Sequence, residues 1–207
     1  MGSRRLVSVV AVVSAVVASV AAVAELHDLT SPRHGHEARR ELQAVLSRMK
    51  RLRTVRVSET LQTRTGSPVL HTEYRFEAPD RFAYDQTGIS NASSIASGDR
   101  QYLRGGPNQR WQINAWPDPT GFRWPADFYD TFWTPATAIH NLGAAQWDGA
   151  ANHILAFSRA DTNASFRLWI GNTDGLVRHM EMRAPRHIMN QTYYSFDRPV
   201  TITAPQR

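Results

Sequence analysis

The chain has 207 residues, of which 42% are hydrophobic and 20% are charged, enough for one folded domain with an N-terminal extension. Its net charge is +6, but the arginines are scattered and no nucleic-acid-binding motif is present, so nucleic acid is not an expected partner. The absence of cysteine excludes disulfides, thiolate metal sites, cysteine nucleophiles and a lipid-bearing cysteine. Lys50 is the single lysine, a bias that reflects either codon usage or a preference for guanidinium groups that pair with phosphates.

Residues 1–24 have the pattern of a targeting segment. Arg4 and Arg5 precede an apolar run from Leu6 to Ala24 that is interrupted only by serines, and the run ends in the small-x-small sequence Ala22-Val23-Ala24. This pattern is typical of a signal peptide, and the run is also about the minimum length of a membrane span. We therefore expect a cleaved signal peptide or an uncleaved membrane anchor, with the rest of the chain extracytoplasmic, either periplasmic or at the cell surface.

Residues 25–35 form a predicted polar linker that contains histidines, and residues 36–207 form the predicted domain. Cleavage after Ala24 would leave Glu25-Leu26-His27 at the N-terminus. A free amine, two backbone amides and a third-position imidazole provide a square-planar nitrogen site that suits Cu(II) or Ni(II). The candidate metal ligands of this region are His27, His34 and His36.

A helix is predicted from about His36 to Arg53, because apolar residues recur there at three- and four-residue spacing. Beyond it the period changes to two, which predicts short antiparallel strands. The sequence Asn172-Thr173-Asp174-Gly175 predicts a hairpin turn, since Asn, Asp and Gly accept positive φ. The predicted strands cover residues 54–63, 69–76, 81–85, 94–97, 101–104, 110–116, 153–159, 165–171, 176–183 and 187–196.

Eight aromatic residues lie between Trp111 and Trp133, interleaved with prolines and a glycine. Two short helices are predicted here: one from Pro125 to about Thr131, and one capped by Thr134 that ends before Gly143. Each ring has on the order of 150–250 Å² of surface to bury. The segment is therefore either a permanent part of the core or a lid over a site for something hydrophobic.

Three short sequence segments resemble the LolA/LolB lipoprotein-carrier superfamily, which includes LppX/LprG-type and RseB-type half-barrels. They are the hairpin FEAPDRFAYD at residues 76–85, the hairpin IASGDRQYL at residues 95–103 and the strand pair LWIGNTDGLVRHM at residues 168–180. The last departs from the family pattern, because Gly171 replaces an aspartate and Val177 a proline. A closer resemblance is to the extracytoplasmic domain associated with copper-resistance membrane proteins of the CopD/YcnJ type, through residues 180–185 and 196–202.

The resemblance implies an α+β fold: a strongly curved, unclosed antiparallel half β-barrel of about 10 strands, with an N-terminal helix and a short helical lid insertion. Such half-barrels hold acyl chains between the sheet and the helices, and they carry no catalytic residues or cofactor. The candidate residues that line the cavity or form the lid are Trp124, Phe128, Phe132, Trp133, Leu70, Tyr74, Phe76, Phe166, Leu168 and Ile170.

The leading functional hypothesis is an exported, membrane-associated domain that binds a lipid or acyl chain, with a membrane protein as an additional partner. The alternatives are an extracytoplasmic accessory in copper handling and a sensor or protein-interaction domain whose cavity stays closed. An enzyme is not expected, since the sequence lacks the serine-hydrolase, zinc-protease and phosphate-loop motifs. Met180 and Met182 are expected in the core, and His179 on the opposite face of its strand.

Overall fold

The computed structural model describes residues 32–115 and 126–205. The described part contains two helices and one antiparallel sheet of 11 strands. The sheet order is β6-β5-β4-β3-β2-β1-β11-β10-β9-β8-β7, and every neighbouring pair is antiparallel. The elements in chain order are α1 (Pro32–Met49), β1 (Thr54–Gln62), β2 (Leu70–Glu77), β3 (Arg81–Gly88), β4 (Ala92–Ser97), β5 (Arg100–Arg104), β6 (Gln112–Ala115), α2 (Ala126–Trp133), β7 (Thr137–Trp147), β8 (Ala150–Arg159), β9 (Ala164–Gly171), β10 (Val177–Ala184) and β11 (His187–Tyr194).

The sheet is curved and unclosed, because β6 and β7 are its two edges and do not pair with each other. The predicted α+β half-barrel is therefore confirmed. The side chains that alternate inward along the strands form one core with α1, whose buried residues recur at three- and four-residue spacing. We call the sheet face that meets α1 and α2 the concave face and the other the convex face.

The first helix begins earlier than predicted. α1 starts at Pro32 and ends at Met49, whereas the sequence pattern placed the helix from about His36 to Arg53. The last four residues of the predicted linker, from Pro32 to Gly35, therefore belong to the helix. Proline is well tolerated at a first helical position, because it lacks only an amide hydrogen that has no helical partner there.

The predicted second lid helix, from Thr134 to Gly143, was wrong. This segment enters β7, an edge strand that pairs with β8 and contains two irregularities in its register. Gly143 lies at one of them with φ of 86°, so it serves a bulge and not a helix end. Pairing with β8 outweighs the local preference of Thr134-Pro135 for a helix start. The sheet therefore has eleven strands, one more than the ten predicted.

The hairpin predicted at residues 172–175 is confirmed between β9 and β10. Gly175 adopts φ of 66°, and its amide donates to the Gly171 carbonyl at 2.8 Å. A Cβ at this position would lie 2.6 Å from Nη1 of Arg48 in α1. The positive φ of the turn therefore favours glycine at this position, and a larger residue would also displace the Arg48 side chain.

Neither helix in the described ranges is long and apolar enough to cross a membrane.

Candidate functional site

One half of the concave face, formed by β8 to β11, is closed by α1. Phe166, Leu168 and Ile170 point to this side from β9 and are 3%, 0% and 1% exposed. They pack in the same core as the apolar stripe of α1, which includes Val45 and Met49. In the structure, this part of the concave face is filled by hydrophobic packing.

The short helix α2 covers the middle of the concave face. Tyr129 and Trp133 are one helical turn apart and fully buried, and both rings pack against Tyr193 of β11, with centroid distances of 6.5 and 6.4 Å. The Trp133 indole Nε1 also donates to Sδ of Met180 at 3.2 Å. α2 is therefore seated on β10 and β11 through its aromatic face, as a lid would be.

Among the described side chains, one ion pair links α2 to the residue that follows α1. Nζ of Lys50 lies 2.5 Å from Oδ1 of Asp130, and the two residues are 80 positions apart in the sequence. Lys50 directly follows α1, whereas Asp130 is in the middle of α2. The only lysine of the chain thus joins the two elements that cover the concave face.

At one end of the concave face, the ends of β1, β2, β10 and β11 carry apolar side chains, most of which remain partly exposed. Leu70, Leu61, Met189 and Met182 lie side by side across β2, β1, β11 and β10, as the strand registers show. Met189 is buried at 4%, but the other three are only partly buried and pack against the edge of the core or beside it. We call these four residues the apolar row. It lies near the strand ends formed by the β1–β2 and β10–β11 connections.

A group of polar side chains lies immediately behind the apolar row. Glu59 is two residues before Leu61 on the same face of β1, which places the two rows about 7 Å apart. Oε1 of Glu59 accepts a hydrogen bond from the Tyr74 hydroxyl at 3.1 Å, and Oε2 accepts one from Nε2 of Gln191 at 2.5 Å. The Tyr193 hydroxyl donates in turn to Oε1 of Gln191. We call Glu59, Tyr74, Gln191 and Tyr193 the polar cluster.

Three of the four residues of the polar cluster are almost completely shielded from water. Glu59 is 6% exposed, Gln191 1% and Tyr193 2%. Burial raises the pKa of the Glu59 carboxyl above its usual 4.5, and the hydrogen bonds from Gln191 and Tyr74 offset only part of that effect. In the described ranges no arginine, lysine or histidine forms an ion pair with this carboxyl.

Three exposed arginines surround the end of the sheet at which the apolar row lies. Arg64 is in the β1–β2 connection, Arg183 is near the end of β10, and Arg186 is in the β10–β11 turn. None of the three pairs with a carboxylate in the part of the chain that the structure describes. We call them the rim arginines. They place unpaired positive charge beside an apolar surface.

The convex face carries a different cluster, centred on His179. The imidazole stacks on Trp147 at a centroid distance of 3.7 Å and meets the Trp169 ring edge-on at 5.0 Å. Burial lowers the pKa of His179 to about 4. His179 and Met180 therefore point to opposite faces, as predicted, and Met180 is fully buried in the core with Met182 packed beside it.

A groove of about 380 Å³ also lies on the convex face, among β7 to β10. Side chains of opposite charge line it, namely Arg167, Arg183 and Glu181, together with the hydroxyls of Ser158 and Ser165. Apolar residues line the rest of the groove, so that its lining is mixed; they are Ala138, Leu142, Ala156, Phe157 and Phe166.

The predicted cavity residues separate into two groups. Phe76, Trp133 and the three residues of β9 are fully buried, whereas Leu70, Tyr74 and Phe132 are partly exposed. Leu70, Tyr74 and Phe76 share one face of β2, and it is the concave one. Trp124 lies outside the described residues, and Phe128 lies in α2.

Of the three predicted metal ligands, only His36 has its side chain within the described residues. His34 and His36 lie in the first turns of α1, where His36 is exposed, and His27 lies outside the described residues. No group of three or more histidine and acidic side chains that could hold a metal ion occurs within residues 32–115 and 126–205. The copper site at His27, His34 and His36 stays a prediction.

Sequence reasoning missed four residues of this site: Glu59, Gln191, Tyr193 and Tyr129. For Glu59 the signal was present, because Val55, Val57, Glu59 and Leu61 alternate along β1 and therefore share its apolar face. Gln191 and Tyr193 alternate with Met189 in the same way along β11. The pattern that identifies this cluster is a polar residue at a strand position where the alternation predicts an apolar residue.

Two crystal structures resemble this fold over most of its length. LprF from Mycobacterium bovis superposes with a TM-score of 0.59 at 16% sequence identity, covering 82% of this chain and 97% of that one. The Mycobacterium tuberculosis lipoprotein LppX superposes with a TM-score of 0.58 at 12% identity, covering 81% and 98%. No family model and no curated protein matches the sequence. The likeness confirms, at the level of the fold, that the chain has an LppX-like half-barrel.

Proposed function

We propose that this protein is an exported, membrane-associated binding protein that accommodates a lipid or acyl chain on the concave face of its sheet, and that it is not an enzyme. The apolar row is the observation that carries the proposal. Leu61, Leu70 and Met182 form a continuous strip together with the buried Met189, and their partial exposure leaves apolar area for a ligand to cover. The half-barrel fold shared with LprF and the lipoprotein LppX supports it.

In this proposal the two groups of predicted residues have different roles. Leu70, Tyr74 and Phe132 contact the ligand, together with Leu61 and Phe82, which are also partly exposed. The fully buried residues form the wall that holds these side chains in place, and they are Phe76, Trp133, Phe166, Leu168 and Ile170. Trp124 and Phe128 are proposed to complete the lid.

Membrane association is proposed from charge and from the N-terminal sequence. The rim arginines lie at the same end of the sheet as the apolar row, so that contact with lipid phosphates would turn the row toward the bilayer. Residues 1–24 would direct export and, if uncleaved, anchor the chain. A membrane-protein partner is part of the same proposal.

The test is native mass spectrometry of the protein purified from its own membranes by gentle extraction. We expect an acyl lipid bound to the wild-type chain and roughly tenfold less of it in the double variant Leu61→Gln, Met182→Gln, since each substitution removes apolar contact worth about 1.5–3 kcal/mol when fully made. Ile113→Gln is the matched control, because Ile113 is 47% exposed on the edge strand β6.

The same measurement separates the alternatives. Bound Cu(II) that disappears in His27→Ala would support the copper-handling hypothesis. A protein that carries neither lipid nor copper, and that takes up no lipid when it is added, would contradict the binding proposal and support the closed sensor domain.

A further inference from the structure

The feature that the proposed function leaves unexplained is the polar cluster. A carboxyl group buried in an apolar face without a cation is expensive, because water is removed from a charge and no opposite charge replaces it. Glu59 is in this situation: its two described partners are the neutral side chains of Tyr74 and Gln191. The free-energy cost of burying this carboxylate is reduced if the carboxyl is protonated or if a further hydrogen-bond donor binds to it.

The carboxyl has capacity for such a donor. A carboxylate offers about four acceptor positions, and its described partners occupy one on each oxygen. Gln191 is held in one orientation, because its Oε1 accepts from Tyr193 while its Nε2 donates to Glu59. The cluster therefore presents free acceptor positions on a fixed framework.

The position of the cluster relates it to the ligand path. Glu59 is the next concave-face residue behind Leu61, so that an alkyl chain lying on the apolar row has its inner end near the carboxyl. Tyr74, which donates to Glu59, is itself partly exposed and is a proposed contact of the ligand. Lid helix α2 reaches the cluster through the packing of Tyr129 and Trp133 on Tyr193.

We propose that the polar cluster is an internal recognition site for a hydroxyl group, so that the ligand is a neutral, hydroxyl-bearing acyl lipid or long-chain alcohol. This inference rests on the proposed function. The hydroxyl donates to Glu59, and an acidic lipid is disfavoured because its carboxylate or phosphate would face the Glu59 carboxylate in a medium that screens charge poorly. The pKa of Glu59 is raised by burial, which agrees with a carboxyl that has no cationic partner among the described residues.

The test compares three probes of equal chain length: dodecanol, dodecyl methyl ether and dodecanoate. Each displaces an apolar fluorescent dye from the full chain at neutral pH. We expect dodecanol to bind about tenfold more tightly than the ether, which is the order of magnitude for one hydrogen bond to a charged acceptor. Dodecanoate is expected to be the weakest of the three.

Two variants identify the acceptor. Glu59→Gln should reduce the preference for the alcohol over the ether to below about threefold, because the acceptor loses its charge. It should also improve dodecanoate binding. Glu73→Gln is the matched control, since Glu73 lies on the neighbouring strand β2, is exposed, and accepts from the Tyr194 hydroxyl at 2.9 Å. The preference of Glu73→Gln for the alcohol over the ether should equal that of the wild type.

Glu59→Gln should fold, because an amide can accept from Gln191 and donate to the Tyr74 hydroxyl, and thermal unfolding checks this. Tyr74→Phe gives independent evidence: it keeps Glu59 and frees the acceptor position on Oε1, so the preference for the alcohol should rise. A fall would overturn the inference.

The outcomes distinguish this inference from the proposed function. If alcohol and ether bind equally well to the wild type, or if the preference persists unchanged in Glu59→Gln, the hydroxyl site is wrong and the binding proposal stands. If none of the probes displaces the dye, both are wrong.

Discussion

At the residue scale, two titratable groups are buried on opposite faces of the sheet and respond to pH in opposite directions. The pKa of Glu59 is raised and that of His179 is lowered, in both cases mainly by burial, which disfavours the charged form. Between the unfolded and folded pKa values, a buried acid loses stability as the pH rises, whereas a buried base loses stability as the pH falls. Single-residue variants are therefore needed to separate the two effects.

We predict that His179→Phe makes stability less sensitive to acid. The unfolded chain binds a proton at His179 below about pH 6.5, but the folded chain resists it until about pH 4. Wild-type stability should therefore fall by up to about 3 kcal/mol across this window through His179 alone. The phenyl ring keeps the stacking on Trp147 and does not titrate.

Urea unfolding of both proteins at several pH values between 4 and 7 measures this effect, and the difference between the two curves isolates His179. His36→Phe is the matched control, because it makes the same replacement at an exposed position of α1. If the free energy of unfolding changes equally with pH in wild type and in His179→Phe, the burial of a neutral imidazole is contradicted.

The sequence predicted some residues of the site because their periodicity is visible without the fold. The alternation of β2 places Leu70, Tyr74 and Phe76 together, and the structure puts all three on the concave face. Which of them remain partly exposed depends on how far α1 and α2 extend over the sheet, and this is a tertiary property. The pairing of Glu59 with Gln191 likewise depends on β1 lying beside β11, which are separated by most of the chain.

At the element scale, the described side chains of α2 hold it through an aromatic face and an ion pair. The pair between Lys50 and Asp130 is partly exposed, with side-chain exposures of 30% and 48%. Ion pairs of this kind contribute about 0.2–1 kcal/mol. The aromatic packing therefore contributes most of the free energy that holds α2 on the sheet. The ion pair changes the fraction of molecules in which α2 is open.

We predict that Lys50→Met increases opening of α2 about two- to fivefold, which is the population change that corresponds to the loss of such a pair. Hydrogen exchange of the backbone amides of α2 measures it, together with that of Thr134, whose amide donates to the Asp130 carbonyl at 3.2 Å. Arg51→Met is the control, because Arg51 bonds Ser47 within its own segment at 3.0 Å. Equal exchange in all three proteins would show that the ion pair does not hold the lid.

Strand β7 shows where element prediction fails. The sequence Thr134-Pro135 has the local chemistry of a helix start, and Gly143 has that of a helix end. The observed strand is stabilised by pairing with β8, and local sequence does not encode that partner. Strands in regular hairpins, such as β9 and β10, were predicted well because their turn residues specify both the turn and the partner.

At the scale of the whole molecule, apolar surface and unpaired positive charge lie at the same end of the sheet. This arrangement predicts an orientation on a membrane, with the rim arginines on the lipid phosphates and the apolar row next to the bilayer. Each basic residue near an anionic surface contributes about 1 kcal/mol. The overall charge of +6 adds a long-range attraction that salt weakens.

We predict that Arg64→Ser with Arg186→Ser weakens binding to vesicles containing anionic lipid by roughly tenfold or more at moderate ionic strength. Vesicle co-sedimentation measures this effect. The matched control is Arg198→Ser, because Arg198 is exposed and follows β11 at the opposite end of the sheet. Equal loss of binding in the control would show that net charge, and not the rim, governs association.

The central claim is that an alkyl chain occupies the concave face beside the apolar row. A nitroxide-labelled long-chain alcohol, added to protein with isotope-labelled methyl groups, tests this directly by NMR line broadening. We predict broadening of the methyl signals of Leu61, Leu70 and Met182, and sharp signals from Ile113 and Ile154, which belong to β6 and to the convex side of β8. Broadening confined to the convex groove, or no broadening at all, would contradict the account.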